Sequence, residues 1–212
     1  MVVDNTQNFE KIWSLLQKEY PNPEPALRFN NPFQLLVATI LSAQATDTQV
    51  NQVTKNLFKK YTDVEDLADA DIDELEKDIY STGFYKNKAR NIKKCAQMIK
   101  SQFNSKVPDN MDDMINLPGV GRKTANIVLS RGFGVQEGIA VDTHVKRLSQ
   151  RLGFTQNATP EKIELDLMEL ADKNDWDELS LTLILHGRKI CHAKNPECEN
   201  CVVNHLCPSS KV

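Results

Sequence analysis

Glycine is absent from the first 82 residues of this 212-residue sequence. No apolar run approaches the roughly 20 residues that a membrane-spanning helix needs. The chain does not open with a basic segment followed by an apolar core, the pattern of a secretory signal. The period-two alternation of a half-buried strand is missing as well. These absences predict an all-α protein without a membrane anchor that stays in the cytoplasm, where cysteines remain reduced.

Positive charge is in short supply, because the net charge is −3, and this argues against a nucleic-acid partner. The charges are nevertheless segregated along the chain. Residues 63–78 hold nine acids and one Lys, and residues 161–178 hold eight acids and two Lys. Residues 81–106 hold seven bases and no acid, and residues 118–152 hold six bases and two acids. A basic face on an acidic body can bind DNA, but the same pattern is typical of solvated helix faces.

The apolar pattern is helical, with clear interruptions. Residues 33–42 are almost wholly apolar and predict a buried central helix. Residues 64–80 repeat apolar positions at helical spacing and predict a single helix, and residues 85–103 predict a basic one. Residues 117–121, with one Pro and two Gly, predict a tight turn between helices, and Pro160 predicts a helix start.

Four of the five cysteines lie together in the C-terminal tail. They follow the spacing C-x6-C-x2-C-x5-C: Cys191, Cys198, Cys201 and Cys207. In a reducing compartment this spacing favours metal binding over disulfides, and four thiolates fit either tetrahedral zinc or a [4Fe–4S] cluster. Zinc ribbons usually pair two short spacings, whereas this tail has one, which favours the iron–sulfur cluster. The cluster would fold a loop with little apolar material and present basic residues such as Lys194.

The glycine-rich turn indicates phosphate binding next to a reactive amine. Gly119 and Gly121 let backbone N–H groups approach a phosphate closely, because no Cβ stands in the way. Arg122 and Lys123 begin the following helix, where the positive end of the helix dipole favours a neutral amine over an ammonium group. A neutral Lys amine can attack an electrophilic carbon and form a Schiff base. The alternative is an ordinary turn between helices with a solvated Arg and Lys.

Asp142 lies nineteen residues after Lys123, at the predicted start of another helix. Backbone N–H groups at a helix start keep a carboxylate ionised. An ionised carboxylate near an amine can accept its proton or stabilise a developing sugar cation. Asp142 can equally be a simple N-cap, and sequence spacing does not show that the two side chains meet.

Five segments and the cysteine tail together resemble endonuclease III, of the helix-hairpin-helix DNA glycosylase superfamily. The segments are LLVATILSAQATDTQVN, STGFYKNKARNI, LPGVGRKTANIVL, AVDTHVKRLSQRLG and LILHGRKICHA, in the family's order and spacing. The resemblance implies an all-α fold of two lobes with a DNA-binding cleft between them. Residues 25–135 would form a helical barrel containing the hairpin, and residues 1–24 with 136–212 would form the cluster lobe.

The resemblance also implies roles for individual residues. Lys123 corresponds to the family's nucleophile and Asp142 to its essential aspartate. Gln44 corresponds to the residue that fills the gap left by an extruded nucleotide, and Phe84 stands where the commonest members have a Leu wedge. Positions near the family's pocket or phosphate contacts are Ser42, Thr143 and His144. In the family the hairpin can also bind a monovalent cation through its carbonyl oxygens.

The implied activity is base-excision repair. The enzyme would remove oxidised pyrimidines from double-stranded DNA through a Lys Schiff base, and would then cut the strand at the abasic site by β-elimination. It would act as a monomer associated with the nucleoid. Two alternatives stay open: a monofunctional mismatch glycosylase of the same superfamily, although such enzymes usually lack a Lys at position 123, and a non-catalytic DNA-binding module.

Overall fold

A computed structural model describes residues 5–212, and within that range it contains helices, turns and loops but no strand. The helices are α1 (Asn5–Glu19), α2 (Pro32–Leu41), α3 (Asp47–Lys60), α4 (Val64–Asp69), α5 (Ile72–Asp78), α6 (Tyr85–Gln102), α7 (Met111–Met114), α8 (Arg122–Val128), α9 (Thr143–Arg151), α10 (Pro160–Leu170) and α11 (Trp176–Lys189). The prediction of an all-α fold is therefore confirmed. Among the described residues, none of these helices combines the length and the apolar character that crossing a bilayer requires.

The chain divides into two compact units. The central unit is Pro25–Glu137, and the terminal unit joins the segment that ends at Glu24 to Gly138–Val212. Each unit has its own apolar core. The apolar residues of the sequence therefore form two separate hydrophobic cores, one in each unit.

Helix α2 is the centre of the central unit. Every residue from Phe33 to Leu41 is buried, so the helix has no solvent-facing side. Asn31 caps its first turn, since the Asn31 side chain accepts a hydrogen bond from the backbone N–H of Gln34 at 2.9 Å. The prediction of a buried helix over residues 33–42 is confirmed.

The prediction of a single helix over residues 64–80 is wrong. Helix α4 ends at Asp69, and the backbone at Ala70 turns to ψ 142°. Asp71 then starts α5, because its carboxylate accepts hydrogen bonds from the N–H groups of Asp73 and Glu74 at 3.0 Å. The apolar spacing continues across the break, but the local cap at Asp71 ends one helix and begins another.

The terminal unit packs α1, α9, α10 and α11 around fully buried residues such as Ile12, Leu148 and Leu183. Pro160 occupies the first turn of α10, as predicted. Beyond Lys189 the chain forms no further α-helix, only two short 3-10 turns at Cys198–Asn200 and Asn204–Leu206. This tail has little apolar material of its own, and only Val203 is fully buried there.

Candidate active site

The hairpin of the central unit joins α7 to α8 through a tight turn. The N–H of Val120 donates to the carbonyl oxygen of Leu117 at 3.1 Å, which closes the turn. Gly119 has a φ of +80°, and a Cβ at this position would lie 2.9 Å from the Cβ of Asn91 on α6. Gly119 therefore meets two requirements, a left-handed backbone and close packing against a neighbouring helix. Asn91 was not identified from the sequence, because its contact with Gly119 is tertiary and leaves no local sequence pattern.

Lys123 is the second residue of α8, and its side chain is exposed. Gly121 precedes the helix with an extended backbone and makes no side-chain cap. No atom lies within 4 Å of the place where a Cβ on Gly121 would stand. The start of α8 is therefore open to an approaching ligand, with Arg122 and Lys123 both exposed beside it.

Asp142 in the terminal unit is the N-cap of α9, as predicted. Its Oδ1 atom accepts hydrogen bonds from the backbone N–H groups of His144 and Val145, both at 2.8 Å. The second oxygen, Oδ2, takes no part in this cap. The cap fixes the carboxylate, which is half-buried, while Thr143 beside it is exposed.

His144 is held as a neutral hydrogen-bond donor. Its Nδ1 lies 3.1 Å from a terminal nitrogen of Arg147. Arginine only donates, so Nδ1 accepts and the ring proton is on Nε2. Burial lowers the pKa of His144, and the nearby charges of Arg147 and Arg188 lower it further, against the opposing effects of Asp142 and of the backbone of Gly187. The half-buried His144 can therefore offer Nε2–H to a ligand without carrying a positive charge.

Two exposed side chains of the central unit stand on strained backbone. Gln44 lies in the loop after α2 with a φ of +54°, and Phe84 precedes α6 with a φ of +47°. Non-glycine residues with such angles cost free energy, and they cluster at functional sites. Phe84 is 64% exposed, which is unusual for a large apolar ring. Ser42, in contrast, donates its hydroxyl to the carbonyl oxygen of Thr39 at 2.8 Å and so helps to end α2.

The four tail cysteines line one cavity of the terminal unit. Among residues 5–212, no three His, Cys, Asp or Glu side chains come close enough together to hold a single metal ion. A [4Fe–4S] cluster is bound by four cysteine thiolates, one at each iron. Burial raises the pKa of Cys201 and Cys207, so an iron partner would stabilise their thiolates there. Four cysteines that line one cavity supply the donor set of a [4Fe–4S] cluster.

Two arginines on α9 bind the start of the cysteine loop. Arg147 donates to the carbonyl oxygens of Cys191 at 3.0 Å and Gly187 at 2.9 Å. Arg151 donates to Cys191 Sγ at 3.2 Å and to the carbonyl oxygen of His192 at 2.7 Å. Sequence reasoning counted both arginines only as part of a basic stretch. Their spacing, which puts them one helical turn apart on the same face, was the available signal.

A buried chain of hydrogen bonds reaches a second cysteine. The Nε2 atom of His186 lies 3.3 Å from Cys201 Sγ, and its Nδ1 lies 3.0 Å from the hydroxyl of Tyr20. Burial lowers the pKa of His186 to about 4 and raises that of Tyr20 to about 12, so both are neutral near pH 7. Tyr20 therefore donates to Nδ1, and Nε2–H points at the sulfur of Cys201. Neither residue was identified from the sequence.

The basic stretches supply fewer free cations than their composition suggests. Lys146 donates to the carbonyl oxygen of Ala158 at 2.6 Å, and Lys100 pairs with Asp69 at 2.7 Å. Lys194 is exposed in the cysteine loop. Lys146 keeps its charge because its acceptor is a neutral carbonyl group, whereas Asp69 offsets the charge of Lys100.

Comparison with known proteins identifies the family of this chain. A family model described as HhH-GPD superfamily base excision DNA repair protein matches residues 37–173. A model described as the iron-sulfur binding domain of endonuclease III matches residues 191–207, which contain the four tail cysteines. Endonuclease III of Synechocystis sp. is 49% identical over 97% of this chain and 94% of its own length.

Solved structures lead to the same family. Two of them, described as a non-covalent endonuclease III–DNA complex and a trapped endonuclease III–DNA covalent intermediate, are each 43% identical to this chain with a TM-score of 0.93. Each alignment covers 99% of this chain and 97% of the other. The resemblance inferred from the sequence motifs is confirmed. The chain belongs to the endonuclease III family of the HhH-GPD superfamily: it is a bifunctional DNA glycosylase and abasic-site lyase of base-excision repair, with a [4Fe–4S] cluster.

Proposed function

We propose that Lys123 is the nucleophile of this enzyme and that Asp142 is the carboxylate that assists it. The observation that carries the proposal is the exposed position of Lys123 on the first turn of α8, directly after the open glycine turn. Asp142 supports it, because the α9 cap fixes Oδ1 and leaves Oδ2 outside the cap. A carboxylate held in this way stays oriented without needing a partner of its own.

The proposed reaction has two chemical stages. The Nζ atom of neutral Lys123 bonds to the sugar C1′, the glycosidic bond breaks, and the base leaves with its electron pair and gains a proton. The resulting amine opens the sugar to a Schiff base. Loss of a proton from C2′ then breaks the C3′–O bond, so the strand is cut on the 3′ side of the lesion. Asp142 accepts the Lys123 proton or stabilises the positive charge that develops on the sugar.

We propose double-stranded DNA with oxidised pyrimidines or abasic sites as the substrate. The target nucleotide must leave the duplex, which costs a few kcal/mol and least at weakened pairs. Gln44 and Phe84, exposed on strained backbone, are suited to fill and wedge the gap. The phosphate contacts would come from the turn at Gly119 and Gly121 with Arg122, and from Ser42, Thr143, His144 and Lys194. A monovalent cation at the hairpin, a monomeric state and action on the nucleoid in the cytoplasm are further parts of this proposal.

Borohydride trapping tests the assignment of the nucleophile. Reduction of the Schiff base on abasic-site DNA should give a covalent adduct that is lost completely in Lys123→Ala. Lys86→Ala, which removes an exposed lysine from α6, is the matched control and should trap as the unchanged protein does. An adduct that persists in Lys123→Ala would reject the assignment. No adduct from the unchanged protein, when it is shown to bind the DNA, would point to a monofunctional enzyme.

Asp142→Asn tests the second residue. Asparagine is as good an N-cap as aspartate, so α9 and the stability of the fold should be kept. The charge is lost, and the rate of adduct formation should fall by about 100-fold or more, the range of a general acid–base contribution. DNA binding should change little. A rate equal to that of the unchanged protein would show that Asp142 is a cap and nothing more.

A further inference from the structure

We propose that Lys88 is a positioning residue that anchors together the two loops carrying Gln44 and Phe84, and so sets the spacing of the gap-filling residue and the wedge. The gap loop is residues 42–46, between α2 and α3, and the wedge loop is residues 79–84, between α5 and α6. The inference rests on the proposed roles of Gln44 and Phe84. It adds a residue that reaches neither the DNA nor the nucleophile.

The side chain of Lys88 joins the end of α2, directly before the gap loop, to the wedge loop. It lies on the first turn of α6, and only 5% of it is exposed. Its Nζ donates to the carbonyl oxygen of Leu41 at 2.8 Å and to that of Thr82 at 2.7 Å. Leu41 is the last residue of α2 and stands three residues before Gln44, and Thr82 stands two residues before Phe84. One ammonium group therefore connects the residue that precedes the gap loop with a residue of the wedge loop.

The location of this cation is unusual in energetic terms. Burying an ammonium group is costly unless hydrogen bonds compensate, and both acceptors here are neutral carbonyl groups. Burial accordingly lowers the pKa of Lys88. The carbonyl of Leu41 lies at the C-terminal, negative end of α2, where a cation is favoured. An apolar residue would fill the same space without the desolvation cost of a charged group. We therefore attribute the presence of an ammonium group here to the two carbonyl groups that it connects.

The strained backbone of the two loops explains why such an anchor matters. Gln44 and Phe84 both have left-handed backbone angles, which non-glycine residues adopt only when their surroundings enforce them. The wedge loop has internal support, since the hydroxyl of Thr82 donates to the carbonyl oxygen of Ile79 at 2.8 Å. Lys88 adds the hydrogen bonds that connect the wedge loop to the end of α2, directly before the gap loop. Without it, each loop can relax separately, and the spacing of the two side chains is lost.

Lys88→Met tests the proposal, because methionine keeps the length of the side chain and removes the donors. DNA affinity should be measured with a duplex carrying a tetrahydrofuran abasic-site analogue and with the same duplex undamaged. Affinity for the damaged duplex should fall about tenfold, because loops that have lost their anchor must be ordered at the expense of binding free energy, while affinity for the undamaged duplex stays nearly constant. The control Lys86→Met, an exposed lysine two residues earlier on α6, should leave the ratio of the two affinities unchanged.

The salt dependence of binding separates anchoring from a phosphate contact. A lysine that contacts phosphate contributes about one unit to the slope of log affinity against log salt. Lys88 should contribute nothing, so Lys88→Met should keep the slope of the unchanged protein. A slope lowered by about one unit would mean that Lys88 binds DNA and would overturn the proposal.

A double-mutant cycle separates anchoring from a general effect on folding. In a Gln44→Ala, Phe84→Ala background there are no side chains left to position, so adding Lys88→Met should cost little further affinity. A full additional loss there would overturn the proposal. If Lys88→Met does not fold, Lys88→Gln, which keeps one donor, takes its place in every arm. Failure of both variants to fold would also overturn it, because Lys88 would then be a requirement of the core.

Discussion

At the scale of single residues, the hairpin glycines differ in what they need. Gly119 has left-handed backbone and would place a Cβ 2.9 Å from that of Asn91, whereas Gly121 has no atom within 4 Å of a Cβ. Gly119→Ala should therefore destabilise the fold by about 1–3 kcal/mol, through strain at its φ and the clash with α6. Gly121→Ala should leave stability nearly unchanged and weaken DNA binding only, since it blocks an approaching phosphate.

Urea denaturation of the two glycine variants, combined with DNA affinities, checks this prediction. The expected outcome is a lower midpoint for Gly119→Ala alone and weaker DNA binding for both. Equal midpoints would mean that Asn91 and α6 give way without cost. Unchanged DNA binding by Gly121→Ala would remove the reason for expecting a phosphate at the turn.

Some site residues could be predicted because their role is local. Asp142 was expected to be an N-cap, and its cap is made by the two amides that follow it along the chain. Lys88, Asn91 and His186 were missed because each has a partner far away in sequence, and the role of each is defined by that tertiary contact. A buried lysine and a solvated one look the same in a basic stretch.

At the scale of elements, apolar periodicity located helices better than it located their ends. The fully apolar stretch of α2 and the basic helix α6 were both predicted. The break between α4 and α5 was not, because the apolar spacing continues through Ala70 and only the cap made by Asp71 reveals it. A capping side chain ends or begins a helix through one or two hydrogen bonds. The spacing of apolar residues does not register such local bonds.

Helix α9 gives a prediction about the cysteine loop. Arg151 donates to Cys191 Sγ and to the carbonyl oxygens of His192 and Ala193, so it supports the loop that precedes Cys198. Arg151→Met should keep the helix and weaken this support, so that iron is lost faster in the presence of a chelator. Lys146→Met on the same helix removes one exposed bond to Ala158 and is the control.

Iron and sulfide analysis, with the visible absorbance followed over time, measures this loss. Arg151→Met should lose its absorbance about tenfold faster than the control, the low end of the effect that is typical of removing a residue that supports metal ligands. Identical rates in the two variants would show that Arg151 is not needed to retain the cluster.

For the molecule as a whole, the net charge alone does not explain DNA binding, and the internal contacts of the basic residues have to be considered as well. The net charge of −3 does not favour DNA, and several bases of the basic stretches bind carbonyl or carboxylate groups within the protein. Bases that donate to neutral carbonyl groups keep their charge, so a basic stretch can act on DNA locally although the net charge is negative. This is why composition left the nucleic-acid question open, whereas the motifs resolved it.

The two units should respond differently when the iron is removed. The tail after Lys189 has one fully buried apolar residue, Val203, so its order depends on the four cysteines and the ligand they bind. The central unit has its own core around α2 and contains none of these cysteines. Oxidative removal of the cluster should therefore increase amide hydrogen exchange over residues 191–207 and leave the protection of residues 33–41 unchanged. Unchanged exchange in the tail would show that the loop folds on its hydrogen bonds to Arg147 and Arg151 without the cluster.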